Sequence, residues 1–167
     1  EWNNATKSFW GLHFETATLF EFIPDSGYIR AVVEMRPEPY RGMPRNPEIS
    51  QLGFILGPKN TLLYLANGPA VAMAGRPPLQ SAVYLLTWDI DKEVLTDYGP
   101  VIGPDHRRLF FTESLARAQD GRLYTVAWAE VLDPARAEAI RGARRVGPAE
   151  TARDIYEIVF ARLPGLG

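Results

Sequence analysis

The chain repeats itself. Residues 53–66 (GFILGPKNTLLYLA) and 114–127 (SLARAQDGRLYTVA) share one pattern: a short apolar run, a turn built from Pro, Asp, Gly or Asn, then a second apolar run containing Tyr. Residues 19–30 (LFEFIPDSGYIR) and 85–96 (LLTWDIDKEVLT) share another, and 154–163 (DIYEIVFARL) repeats its beginning. Two hairpin types alternating along one chain point to repeated antiparallel sheets arranged radially. The expected fold is therefore all-β: a partial β-propeller of four-stranded antiparallel blades, with one helical insertion near residues 134–146. A small β-sandwich carrying a helix is the alternative.

With blade strands lettered A to D from the central channel outward, residues 1–35 form the end of one blade, with strands C and D at 19–23 and 28–35. Residues 49–98 supply a full blade. Residues 109–163 supply strands A, B and C of an incomplete last blade. The total is about two and a half blades, whereas closed rings typically use four to eight. Half-blades leave strand edges and apolar faces open, which proteins avoid. Missing blades are therefore expected from an N-terminal segment or a partner chain, or the chain associates with itself.

Composition excludes several classes. At 167 residues the chain is long enough for one domain with a substantial core. A net charge of −2 argues against nucleic acid as a partner. No cysteine is present, so disulfides, thiolate metal sites and cysteine nucleophiles are excluded. No apolar run is long enough for a membrane-spanning helix. The chain begins with Glu1 and shows no signal peptide. The compartment stays open, with a periplasmic or extracellular one favoured.

The connections sort by length. Turns at 24–27, 57–60, 90–93 and 119–121 are tight. Connections at 36–48, 67–81, 99–107 and 133–151 are long, and blade geometry sends all of these to one side of the ring. Loops on a rigid scaffold carry function, so a site is expected on that side. The segment RPEPYRGMPRNPE, with four prolines, is its best candidate. It places Arg36, Tyr40, Arg41, Arg45 and Glu48 together, with Gln51 just beyond. Guanidinium forks recognise carboxylates and phosphates bidentately, and a tyrosine stacks on a sugar or moves a proton. The same residues equally suit a loop that is merely pinned.

His13 lies in the apolar stretch FWGLHF, and reads either as a general base or as a core or edge histidine with one hydrogen bond. His106 lies in PDHRR, an anion site or a solvated turn. Glu48 and Glu113 precede successive A strands, so they are candidate neighbours at the channel mouth. Paired carboxylates suit glycoside hydrolysis or calcium binding, though no calcium motif is present. Trp128 reads as a sugar platform or as a core residue. The catalytic candidates are thus Tyr40, Glu48, Glu113 and His13. The ligand-binding candidates are Arg36, Arg41, Arg45, Gln51, His106 and Trp128. No metal-ligand spacing occurs and no cofactor is expected.

The stretches FWGLHFETATLFEF, YLLTWDIDKEVLTDYGP and FFTESLARAQDGRLYTVAWAEV resemble blades of bacterial β-propeller proteins of poorly defined function, in their C-terminal part. The resemblance implies a fold more than an activity, since such propellers include oligosaccharide lyases, gluconolactonase-like hydrolases and binding scaffolds. Three functions follow as expectations. One is a scaffold that binds a carbohydrate or anionic ligand on the long-loop side. The second is a carbohydrate-active lyase or hydrolase. The third is a structural subunit assembling through open blade edges.

Overall fold

The computed structural model describes residues 1–13, 15–41, 53–70, 72–76, 79, 81–103, 106–112, 114–144 and 156–162. It is all-β apart from one helix and one 3-10 turn. Among these residues three antiparallel sheets follow one another in chain order, and no closed barrel is formed by them. The arrangement is consistent with a partial propeller.

The first sheet is β1 (Trp2–Asn3), β2 (Ser8–Leu12), β3 (Thr18–Ile23) and β4 (Tyr28–Glu34), in that order. It has four strands where the repeat pattern indicates two. The apolar stretch from Phe9 is extended as its sequence indicates and forms most of β2, whereas β1 is only two residues long and shows no strand-length alternation. Phe20 lies across Gly11; a Cβ would meet the tip of the Phe20 ring at 2.4 Å, so the ring would have to shift.

The second sheet is β5 (Phe54–Leu56), β6 (Thr61–Pro69), β7 (Ser81–Asp89) and β8 (Val94–Pro100). Strands β6 and β7 (TLLYLANGP and SAVYLLTWD) are nearly continuous apolar runs, the pattern of strands covered on both faces. Their seven central residues are buried in each case. Residues 67–69 continue the strand instead of opening the loop, and Pro69 is tolerated because it is the final ladder position, opposite Ser81.

The third sheet has four strands in three positions. β9 (Leu109–Thr112) and β10 (Ala116–Arg117) both pair with one edge of β11 (Leu123–Glu130), and β12 (Tyr156–Arg162) pairs with the other. Ser114 bridges the break between β9 and β10. Its hydroxyl accepts from the Val126 N–H at 2.9 Å, replacing a lost ladder bond. The helix α1 (Pro134–Arg144) begins where Asp133 accepts the Ala135 N–H at 2.9 Å with Pro134 at the first helical position.

Two apolar clusters hold the sheets together. Trp10, Leu19 and Met35 of the first sheet region pack on Leu62, Tyr64, Ala66, Leu86 and Trp88 of the second. Leu63, Leu65, Val83 and Leu85 on the opposite side pack on Leu109, Leu123, Ala127 and Val159 of the third. Each sheet thus has a front, toward the preceding sheet position, and a back, toward the following one. In the second sheet, β6 and β7 are buried on both. Polar contacts cross the same joints: Arg30 binds Glu21 at 2.8 Å within the first sheet and Glu93 of the second at 3.1 Å. Asn3 donates to Asn60 at 2.6 Å, and Asn60 donates to Asp91 at 2.6 Å.

Candidate functional site

A buried polar cluster lies between the second and third sheets, on the long-loop side. Glu130 ends β11 and is buried. Its Oε2 accepts from Arg108 Nε at 3.0 Å and Nη2 at 2.7 Å. Its Oε1 accepts from the Arg108 backbone N–H at 2.8 Å and from Arg76 Nη1 at 2.6 Å. The same Arg76 nitrogen donates to the His106 carbonyl at 2.8 Å. One carboxylate therefore ties three segments together: the connection after β6, the connection after β8, and β11.

Burial alone raises the Glu130 carboxyl pKa, but the Arg108 side-chain and backbone bonds, its charge and the Arg76 bond outweigh it. The net result holds the carboxyl below the usual carboxylate range. Arg108 is 3% exposed and Arg76 is 25% exposed, so Arg76 is the member that reaches solvent.

A second group sits between the first and second sheets, also on this side. Arg36 is buried and donates to the Thr16 carbonyl at 3.1 Å, with Glu34 at 3.4 Å. Residues Glu38–Tyr40 form the 3-10 turn, and the Glu38 N–H donates to Asp97 at 2.7 Å. Tyr84 lies beneath, its hydroxyl donating to the Pro69 carbonyl at 3.0 Å. Burial chiefly, then the nearby Asp97 and Tyr40, push the Tyr84 phenol up.

Several sequence candidates fall into these groups and others do not. Arg36 and Tyr40 join the second group, while Arg41 is exposed beside it. Arg36 serves as a pin for the chain turn and is buried accordingly. His106 contributes its carbonyl to the first group, and its ring is exposed. His13 is exposed and shares one hydrogen bond with Thr16 at 3.0 Å, so it is no core residue. Trp128 belongs to β11 and is half-buried. It lies on the back of the third sheet, with its ring 4.6 Å from Phe111. Arg45, Glu48, Gln51 and Glu113 lie outside the described residues, and with them the paired-carboxylate expectation. Among the described residues no group of three or more His, Asp or Glu could hold a metal ion. No helix among them is long and apolar enough to cross a membrane.

Sequence reading missed Glu130, Arg76 and Arg108 as a unit. Their positions are 22 and 54 apart from Glu130, and only the sheet joint brings them together. It also missed a cavity of about 260 Å³ at the tight-turn end, lined by Lys59, Thr61, Thr87, Asp89, Lys92 and Tyr98 among others. Among the described residues the third sheet offers three strand positions to the second sheet's four, which leaves the β8 side of this joint unmatched by them. Lys92 and Asp89 form an exposed pair there at 2.7 Å.

No protein-family model, curated protein or solved structure matches the chain.

Proposed function

We propose that the chain is a propeller-type scaffold that recognises an anionic ligand, such as an acidic carbohydrate, on its long-loop side. The observation that carries this reading is the Arg76–Glu130–Arg108 cluster. A buried carboxylate held by two guanidiniums costs desolvation and is an inefficient way to gain stability alone. Its gain is order: it holds two long connections in fixed positions and leaves Arg76 at the surface. A fixed guanidinium suits carboxylate or phosphate recognition. Arg41, exposed on the same side, adds a second cation.

Calorimetric titration with acidic oligosaccharides and with neutral ones of the same length tests the reading. Saturable binding of the acidic series, weakened about tenfold or more by Arg76→Ala, is the expected result. Equal binding of both series, or none, removes the anionic-ligand reading.

A further inference from the structure

We infer that the front of the first sheet and the back of the third sheet are the two halves of one interface, and that a second copy of this chain occupies both, closing a six-sheet ring.

The two end faces are uncharged in their central rows. Across the first sheet, Trp2, Phe9, Phe22 and Ile29 lie in one row of facing residues, and Gly11, Phe20 and Ala31 in the next. Ile29 is 62% exposed, and Trp2 and Phe9 are exposed with rings 4.8 Å apart. Across the third sheet, Phe111, Trp128 and Ile158 form a row, with Val126 beside it. Ile158 is 66% exposed and Val126 is exposed.

The sequence repeat identifies what such faces are for. Aligned as repeats, Phe20 and Phe22 take the places of Leu86 and Trp88, which are buried against the first sheet. Tyr124, Val126 and Trp128 take the places of Leu63, Leu65 and Asn67, which are buried and lie on the back of the second sheet. So the open front matches a front that is covered by a back, and the open back matches a back that is covered by a front. The joints inside the chain show how such faces mate. The end faces are of opposite kind, so a copy joins head to tail, not face to like face. Two copies supply six sheets, within the four to eight that closed rings typically use.

Light scattering on the 167-residue chain should give twice its 18.7 kDa mass. Ile29→Arg and Ile158→Arg change exposed positions on opposite end faces, and circular dichroism verifies that each still folds. Each alone should be monomeric, with association weakened on the order of 100-fold. Mixed, they should form a 1:1 complex, because one live front then meets one live back. A like-to-like dimer behaves differently, since one of the two variants stays dimeric. A wild-type monomer that binds a hydrophobic dye assigns the faces to other sheets and overturns the second copy. Open-ended polymers, a dimeric single variant, or no complex on mixing at the highest soluble concentration overturn it as well.

Discussion

Glu130 and Asn67 show opposite ways of burying a polar side chain. Glu130 has both oxygens satisfied. Removing its charge leaves Arg108 buried beside a neutral group, so Glu130→Gln should cost about 3–5 kcal/mol in denaturant unfolding. The pH dependence has a definite sign. The folded-state pKa is depressed, so the stabilisation is present above the unfolded value near 4.5 and is lost as pH falls through the lower folded value. Wild type should lose stability more steeply than Glu130→Gln in that acid window. Equal slopes would mean that the carboxylate is not held by its arginines. Asn67 is 1% exposed, and among the described residues neither its amide nitrogen nor its oxygen has a hydrogen-bond partner. Such a group costs about 1–3 kcal/mol. Asn67→Leu, with the same branched heavy-atom skeleton and among Leu65 and Val83 neighbours on the same face, should raise the unfolding midpoint. A lowered midpoint would show that the amide has a partner in solution.

At the scale of strands, two glycines separate a crowded joint from an open face. A Cβ at Gly68 would meet the Tyr84 ring at 2.5 Å and Pro37 at 3.2 Å. Tyr84 is held by its bond to Pro69, between two sheets, and cannot swing away freely. Gly68→Ala should therefore cost about 1–3 kcal/mol as overpacking does. A Cβ at Gly11 also meets a ring, but Phe20 is on the uncovered front and has room to move. Gly11→Ala should cost less than Gly68→Ala in the same unfolding assay, and the reverse order would mean that the front is not open. The contrast also explains what sequence reveals. β3, β4, β6, β7 and β8 are legible because hairpin turns such as Pro24–Gly27 punctuate apolar runs. Gly27 supplies the positive φ of 69° that this turn requires. β1 is not legible: two residues carry no period, and only the ladder to Ser8 and Phe9 defines it. The charged cluster is not legible either. Arg76, Arg108 and Glu130 are distant in sequence, and their meeting depends on how the second sheet packs on the third. By contrast, the loop side itself follows from hairpin order alone, which is why Arg36, Tyr40, Arg41 and His106 were found there.

For the molecule as a whole, stability should be graded along the stack. Sheets covered on both faces lose the most on opening, because apolar area on both sides is exposed at about 25 cal/mol per Å². Among the described residues only the second sheet has this cover within one chain: Leu62, Tyr64 and Leu86 face one neighbour, and Leu63, Leu65 and Val83 face the other. Its strands also form the longest ladder, Thr61–Pro69 against Ser81–Asp89. Amide exchange should therefore be slowest in β6 and β7, by an order of magnitude or more over β3 and β11 in the isolated chain. Head-to-tail pairing adds a second cover to the first and third sheets and leaves the second unchanged. Raising the protein concentration through the association range should then slow exchange in β3 and β11 selectively and narrow the gap to β6 and β7. A uniform change across all three sheets would mean that the chain opens as one unit. No change with concentration in any sheet would mean that the end faces stay bare. Slowest exchange in the first or third sheet would contradict the stacked order itself, since the apolar clusters cover the second sheet from both sides.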